Sequence, residues 1–445
     1  MLIEFSVGNY LSFKEIKTFS LVSANIKEHK DTHVFQNKNL SLLKSAVLYG
    51  ANASGKTNVF SALSFMKRFV LKSATGSQSH EEIDVVPFKL STETENEPSY
   101  FEIVFFQNTT RYRYGFEVTE DKVVSEWLYH TPKVKEIELF FREGDLYSIN
   151  PPYKEGKGIE SKTRDNALFL SVVAQFNGLI SNEVLEWFSN LFVINGVTNR
   201  QLNLTKKWLR DAATQNSIIN FIKLADVSID NLKIKPIDVD EASIPKNTPN
   251  DVKEFIMSIN HDVILSNHKK YDGNNNFLGF ESFHVDSSES EGTIKLIGLS
   301  APIIDALQNG KTLFIDELDA KLHPLITRNI ITMFNSVDLN PNNAQLVFAT
   351  HDITHLNKKY FRRDQIWFAE KDKYGCSDLY SLVEYKLDDT KVRKDASYDK
   401  EYINGKYGAI PFVNDSYSLL EDIDGDRRSI QETEESSESS EESWK

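Results

Sequence analysis

The sequence predicts an α/β fold in which a mixed sheet carries an antiparallel β-subdomain and a helical insertion. The apolar run Ser45–Tyr49 leads into a glycine-bracketed loop, and apolar residues at helical spacing follow from Val59 to Phe69. A second apolar run, Thr312–Ile315, ends in two carboxylates. Between the two runs, short strand patterns change to helical patterns near Asn166.

The loop after the first run has the spacing GxxxxGK[ST], which is typical of a phosphate-binding loop when a strand precedes it and a helix follows. It reads Gly50-Ala51-Asn52-Ala53-Ser54-Gly55-Lys56-Thr57. The glycines let backbone N–H groups and the helix N-terminus face an anion. Lys56 would reach the β- and γ-phosphates, and Thr57 would contact Mg²⁺. We expect nucleoside triphosphate binding by Gly50, Asn52, Ser54, Gly55, Lys56, Thr57 and Asn58; the flanking elements disfavour a chance match.

Bulk composition is that of a globular protein in a reducing compartment. The 445 residues are 40% hydrophobic, with a mean hydropathy of -0.40 and one cysteine, Cys376. A single cysteine excludes an internal disulfide and a cysteine metal cluster. No apolar run reaches the ~20 residues of a membrane span, and Met1–Phe5 lacks the features of a signal peptide. We expect a cytoplasmic protein without a membrane partner.

The net charge of -14 is unevenly distributed. Residues 421–445 hold ten acidic and three basic residues, which gives -7 for this segment and leaves -7 for residues 1–420. The segment is rich in Ser and Glu, so we expect a disordered acidic tail that aids solubility. A mildly acidic body argues against nucleic-acid binding driven by overall charge, although a local basic groove stays open.

Four regions follow from the patterns along the chain. Residues 1–165 are an N-terminal lobe that combines the phosphate-binding loop with an antiparallel sheet, including two strands around a turn at Gly8-Asn9. Residues 166–285 are a helical insertion ending in a hairpin. Residues 286–420 form a C-terminal lobe, and residues 421–445 are the tail.

The second apolar run supplies the groups that phosphoryl transfer requires. One carboxylate must lie near Mg²⁺, and another group must orient or deprotonate the attacking water. Neighbouring strand residues point to opposite faces, so Asp316 is expected to hold the metal and Glu317 to leave the strand at a turn towards the γ-phosphate. Alone, the pair would be an acidic turn; beside a phosphate-binding loop it predicts catalysis. After the next buried strand, Gln345–Thr350, His351 is placed to reach the γ-phosphate.

A further anion site is predicted at Ser290-Glu291-Gly292-Thr293, which begins an apolar helix. The chain's own loop already provides for one nucleotide. We therefore expect Ser290 and Gly292 to contact a nucleotide held by a second copy.

This order of motifs resembles the ABC/SMC class of ATPases. Further stretches resemble the bacterial AAA-family/ABC-type ATPases of abortive-infection and restriction-linked phage-defence operons: Ile3 to Phe13, Ser54 to Asn58, Glu317 to Pro324 and Tyr407 to Phe412. The resemblance covers residues 1–413. It implies an ABC-type P-loop ATPase head and Mg²⁺-dependent ATP hydrolysis, with Glu317, His351 and Lys56 as catalytic residues.

The same resemblance assigns further roles. Glu289-Ser290-Glu291-Gly292 takes the place of the family's Leu-Ser-Gly-Gly signature, Leu318-Asp319 communicates across a dimer, and Gln175 senses Mg²⁺ together with Thr57 and Asp316. The expected assembly is a homodimer or a higher even-numbered oligomer. Whether the segment 391–413 forms an interface or packs on the core stays open.

Three functions are compatible with these sequence features. The first is a dimeric ATP switch or sensor that controls an effector, a nuclease or toxin from the same operon, in anti-phage defence. The second is an SMC/RecF-like repair ATPase that acts on DNA directly, since nucleic acid could meet the basic pairs Lys206-Lys207, Lys358-Lys359, Arg362-Arg363 and the run Lys391 to Lys394. The third, a binding module with an inactive ATP site, is disfavoured because every catalytic residue type is present.

Overall fold

The structure is a computed structural model that describes residues 1–410 except 77, 79, 199–200, 226–227, 237–247, 250–261, 388–389 and 393–395. Residues Met1–Ala409 form one compact unit. Of a second unit, Ile410–Lys445, only Ile410 is described. The predicted acidic tail and the basic residues Arg393 and Lys394 lie outside the described residues. Within the described part of the chain, no helix is both long and apolar enough to cross a membrane.

The strands of the described chain are β1 (Leu2–Gly8), β2 (Lys17–Ser20), β3 (Val34–Asn37), β4 (Leu40–Leu43), β5 (Ser45–Tyr49), β6 (Ser99–Gln107), β7 (Thr110–Val118), β8 (Val123–Thr131), β9 (Ile137–Glu143), β10 (Leu146–Ile149), β11 (Phe192–Asn195), β12 (Ile229–Lys235), β13 (Val263–Tyr271), β14 (Phe277–His284), β15 (Thr312–Asp316), β16 (Gln345–Ala349), β17 (Ile366–Lys371), β18 (Ser377–Ser381), β19 (Lys386–Leu387) and β20 (Thr390–Lys391).

The α-helices are α1 (Lys30–His33), α2 (Lys56–Lys72), α3 (Phe169–Gln175), α4 (Leu179–Asn190), α5 (Leu202–Trp208), α6 (Ala212–Lys223), α7 (Val285–Ser288), α8 (Glu291–Asn309), α9 (Pro324–Asn335) and α10 (Tyr398–Ile403). Short 3₁₀ turns lie at Pro151–Gly156, Glu160–Lys162, Ile353–His355 and Arg363–Gln365.

A six-stranded mixed sheet forms the centre of the unit, in the order β11-β15-β16-β5-β17-β18. All its neighbouring strands pair in parallel except β17 and β18. Every residue of β5, β15 and β16 is buried, which explains why these strands are continuous apolar runs in the sequence. Because parallel strands end at the same edge, the residues after β5, β15 and β16 come together there.

The predicted antiparallel subdomain is confirmed as a seven-stranded sheet, in the order β10-β9-β8-β7-β6-β1-β2. Helix α2 packs between this sheet and the central one. Its Phe60 contacts Phe314 of β15, and its Phe65 contacts Phe101 of β6. The apolar residues that predicted a helix after the loop therefore lie on two faces of α2, one packed against each sheet.

The second of the two strands predicted around Gly8-Asn9 is present but begins later in the chain than expected. The strand after Gly8 begins at Lys17, and Tyr10 to Phe13 instead form a tight turn closed by a bridge between these two residues. Asn9 and Leu11 have φ values of 44° and 50° there. Residues with left-handed φ values cannot continue a strand. The alternating apolar pattern did not indicate these φ values.

The region predicted as a helical insertion, 166–285, contains α3 to α6 and the three-stranded sheet β12-β13-β14. It also contains β11, which pairs in parallel with β15 and so belongs to the central sheet. At the other end of the chain, Tyr407 and Ala409 are buried in the core. This described part of the 391–413 segment therefore packs on the core.

A buried glutamine joins the two large sheets. Gln345, at the start of β16, accepts through Oε1 from the Leu2 N–H at 2.6 Å and from the Thr312 hydroxyl at 3.1 Å. Its Nε2 donates to the Leu2 carbonyl at 2.9 Å and to the Leu43 carbonyl at 3.3 Å. The side chain thus forms hydrogen bonds with buried backbone groups of β1 and β4.

We expect Gln345→Ala to lower the free energy of unfolding by about 3 kcal/mol, because it leaves several buried polar groups unpaired. Urea denaturation measures this change. Gln308→Ala, at an exposed position of α8, is the matched control and should shift the free energy by less than about 0.5 kcal/mol. Equal effects of the two substitutions would contradict this account of the joint.

Candidate nucleotide site

The phosphate-binding loop has the shape that its sequence predicts. It leaves β5 at Gly50 and enters α2 at Lys56, whose Nζ donates to the carbonyls of Gly50 at 2.8 Å and Ala51 at 2.9 Å. The lysine therefore lies across the loop. Gly55 has a φ of 109°, and a Cβ there would lie 2.3 Å from the Ser377 hydroxyl oxygen. A side chain at this position would push the loop out of place.

Two serines from distant parts of the chain fix the loop. The Ser377 hydroxyl lies 2.8 Å from the Ser54 carbonyl and 2.7 Å from the Ser12 hydroxyl, which also accepts from the Asn58 side chain at 2.6 Å. The Ser377 N–H donates to the Ser12 carbonyl at 2.7 Å. Ser12 stands in the opening motif that carried the resemblance, but nothing in the sequence indicated Ser377. Asn58 thus supports the loop through Ser12.

Thr57 and Asp316, which the sequence predicts to hold a divalent cation, lie beside each other. Asp316 ends β15 and is buried, and its Oδ1 has no hydrogen-bond partner among the described residues. Burial raises the pKa of Asp316, while the hydrogen bond from the Thr57 hydroxyl and the charge of Lys56 act in the opposite direction. A buried carboxylate oxygen without a partner, beside a hydroxyl, fits the oxygen ligands that Mg²⁺ prefers.

Glu317 leaves the strand at a turn, as predicted. Its φ of 54° is left-handed, which costs a non-glycine residue about 1 kcal/mol or more. The charges of Asp316, Glu317 and Asp319 all raise the pKa of Lys56 against the larger effect of burial, which lowers it. These three carboxylates and the lysine therefore share one electrostatic environment at the end of β15.

His351 follows β16 and is exposed beside the same turn. Its backbone N–H donates to Asp319 Oδ2 at 3.2 Å, and its charge when protonated would lower the pKa of Asp316. The Leu318 N–H donates to the Ala349 carbonyl at 3.1 Å. The structure thus brings the phosphate-binding loop, Asp316, Glu317 and His351 together at one edge of the central sheet.

Ser290 lies at the N-terminus of the nineteen-residue helix α8, as predicted. It is exposed, and its hydroxyl accepts from the Thr293 N–H at 3.1 Å as an N-cap. Gly292 packs against the turn after β15, since a Cβ there would lie 2.7 Å from the Lys321 carbonyl. The glycine is therefore required by a contact within the chain as well as by the proposed contact with an anion.

The structure does not bring Gln175 to the predicted metal pair. Gln175 is the exposed last residue of α3, whose Ser171 donates to the Val70 carbonyl. Val70 lies near the far end of α2, about 20 Å along the helix from Thr57 at 1.5 Å per residue. The chain reaches the metal pair only later, when β11 runs beside β15.

Two polar residues, one at the end of β11 and one after it, lie beside the predicted metal pair, where Gln175 was expected. Asn195 is the register partner of Asp316. Asn195 and Gln201 line a cavity of about 610 Å³ together with Thr57 and Asp316. Gln201 Nε2 is buried without a hydrogen-bond partner among the described residues. No signal in the sequence pointed to them, because β11 is four residues long and lies between helical patterns.

One basic pair of the DNA-binding alternative is not a surface patch. Arg362 is buried and donates two hydrogen bonds to Asp364, and Arg363 pairs with Glu28 at 2.9 Å. Lys358 and Lys359 are exposed. Local basic pairs therefore give this alternative less support than the sequence suggested.

A comparison with protein families matches residues 45–357 to the family described as "AAA domain, putative AbiEii toxin, Type IV TA system". The match includes the phosphate-binding loop, Asp316, Glu317 and His351. The chain belongs to this family. It is accordingly a member of a P-loop ATPase family with an AAA domain.

Among solved structures, the chain is similar to the SMC head domain from Thermotoga maritima, with 12% identity and a TM-score of 0.38 over 87% of this chain and 99% of that one. It is similar to the Smc head domain with coiled coil and joint from Pyrococcus yayanosii, with 10% identity and a TM-score of 0.39 over 91% and 99%. A third, the recombination mediator protein RecF, has 12% identity and a TM-score of 0.33 over 85% and 98%. No curated protein matches the chain.

We expect Ser377→Ala in this AAA-domain protein to weaken nucleotide binding about tenfold, which corresponds to the loss of one buried hydrogen bond to the loop. Calorimetric titration with a non-hydrolysable ATP analogue measures the affinity. The control is Ser381→Ala, a second buried serine four residues along β18 and away from the loop, which should leave the affinity unchanged. An unaltered affinity for Ser377→Ala would contradict this role for the serine.

Proposed function

We propose that this protein binds and hydrolyses ATP and works as a nucleotide-dependent homodimer that controls an effector protein in bacterial anti-phage defence. The observation that carries the proposal is the convergence of a P-loop, two acidic residues and a histidine at one edge of the central sheet. The family's printed description, which names a toxin and a type IV toxin–antitoxin system, supports a toxin or nuclease effector from the same operon. A cytoplasmic location follows from this role.

The residues present account for each part of the reaction. Lys56 would turn from the loop carbonyls to the β- and γ-phosphates, with the loop N–H groups of Gly50 to Thr57 around them. Glu317 would take a proton from the attacking water. The water oxygen would then bond to the γ-phosphorus while the bond between that phosphorus and the ADP oxygen breaks. His351 would hydrogen-bond the γ-phosphate. Thr57 and Asp316 would hold Mg²⁺, which neutralises charge on the phosphates.

The exposed N-terminus of α8 supports the dimer. The Ser290 hydroxyl and the N–H groups of the first turn of α8 can bind an anion. The start of α8 packs on the turn after β15, and that turn carries catalytic residues for the nucleotide of its own chain. A second copy can present its nucleotide to this surface, so that two ATP molecules lie between two chains. ATP would then favour the closed dimer, and hydrolysis would release it.

We expect Glu317→Gln to keep ATP affinity within about twofold while phosphate release becomes undetectable, because an amide cannot accept the proton. Light scattering should show a long-lived dimer only in the presence of ATP. Glu93→Gln, on an exposed loop, should behave as the unsubstituted protein does. Normal turnover by Glu317→Gln would rule out this residue as the base.

Lys56→Ala should weaken ATP binding by at least about a hundredfold, since it removes the one charge that the loop directs at the phosphates. Lys72→Ala, in the exposed last turn of the same helix, is its matched control and should bind normally. Isothermal titration calorimetry compares the two. Equal affinity for both variants would refute the nucleotide site.

A further inference from the structure

Helix α8 contains a buried lysine whose only described hydrogen-bond partners are backbone carbonyls of the turn after β15. Lys295 is 1% exposed, and its Nζ donates to the carbonyls of Glu317 at 2.8 Å, Leu318 at 3.0 Å and Ala320 at 2.7 Å. An ammonium group has three hydrogens, so all of its donors are used on this one turn. None of the roles assigned above involves this side chain.

The turn that Lys295 holds is strained and carries the proposed base. Glu317 and Lys321 have left-handed φ values of 54° and 63° at its two ends. Such backbone persists only where surrounding contacts fix it. Lys295 supplies those contacts on one side, and on the other side Asp319 accepts from the His351 N–H. Removing the ammonium group would let the turn relax and move the Glu317 carboxylate.

The same turn contacts the exposed beginning of α8. Gly292 lies against the Lys321 carbonyl, and Glu291 pairs with Lys321 at 3.3 Å. Ser290 precedes Lys295 by five residues, about 7.5 Å along a rigid helix. A displacement at Ser290 can therefore be passed to the carbonyl of Glu317 through about one and a half helix turns and the side chain of Lys295.

We propose that Lys295 is a positioning residue that couples the α8 N-terminus to Glu317, so that a second copy's nucleotide at Ser290 sets the rate at which this chain hydrolyses its own ATP. The inference rests on the proposed function and adds to it a path of regulation between the two sites. A nucleotide bound at Ser290 would hold α8 in place. Helix α8 would then hold the turn after β15 through Lys295, and this turn would orient the carboxylate of Glu317.

The electrostatics of the lysine agree with a role that requires its charge. Burial lowers the pKa of Lys295 to about 8, while Asp319 and Glu317 raise it and Lys321 lowers it slightly. Keeping a cation in this position is therefore costly. A methionine of similar length would pack there without that cost but would leave three carbonyls unpaired.

The test compares Lys295→Met with Lys295→Arg and with the control Lys311→Met. Lys311 follows the other end of α8 and pairs with Asp305 at 2.9 Å. For Lys295→Met we expect kcat to fall at least tenfold while KM for ATP and the ATP-dependent dimer in the Glu317→Gln background stay within twofold. Lys295→Arg, which keeps the charge and several donors, should retain more of kcat, and Lys311→Met should be unaffected.

A second measurement tests the coupling itself. Unsubstituted protein is mixed with an excess of Lys56→Ala chains, so that most of its dimers hold only one nucleotide. Turnover per unsubstituted chain should fall, because its Ser290 then meets an empty loop. Turnover per Lys295→Met chain should be the same with and without the excess of Lys56→Ala chains.

The outcomes separate the two proposals. If the unsubstituted protein neither hydrolyses ATP nor dimerises with it, the proposed function fails. If it does both, then an unchanged kcat for Lys295→Met, an arginine variant as slow as the methionine variant, or equal losses in the mixing experiment would overturn the inference about Lys295 alone.

Discussion

Parallel pairing of β16 between β5 and β15 is the constraint on which the site depends. It places the ends of three buried strands side by side, so that residues from three distant parts of the chain meet at one edge. The P-loop follows β5, Asp316 ends β15 and Glu317 comes directly after it, and His351 follows β16. Gln345, at the other end of β16, ties this arrangement to the antiparallel sheet. A shift of one residue in this register would turn every side chain to the opposite face.

The loops at this edge hold their shape through contacts with buried polar side chains. Ser377 and Ser12 fix the P-loop, and Lys295 fixes the turn that carries Glu317. Each contact joins residues that are far apart in sequence. The loops of the site are therefore held in place by the chain's own contacts, and under the proposed function ATP would only have to move Lys56 and bring a second chain close.

The sequence predicted most of the fold, and it predicted which residues lie together at one edge of the central sheet, for the same physical reason. Buried parallel strands are apolar runs, and the residues after them, from Gly50 to Thr57 and at Asp316, Glu317 and His351, have a recognisable spacing. Gln175, Ser377 and Lys295 lack such a signal. Gln175 was predicted only because it precedes the helical insertion in the chain. Strand β11, which does run beside β15, is too short for its sequence pattern to predict it. The role of a lysine in an apolar helix, or of a serine in an edge strand, depends on backbone carbonyls that are distant in the sequence, so the local pattern does not indicate it.

In the proposed dimer, the P-loop of one chain faces Ser290 of the other. In a background with Cys376→Ser and Glu317→Gln, one set of chains carries Asn52→Cys and a second, distinguishable set carries Ser288→Cys, both at exposed positions near the two surfaces. A short bis-maleimide is added with and without ATP, and the products are resolved by mass. We expect ATP to make the mixed pair the main product. Products that do not change with ATP, or a mixed pair no more abundant than pairs of like chains, would contradict it.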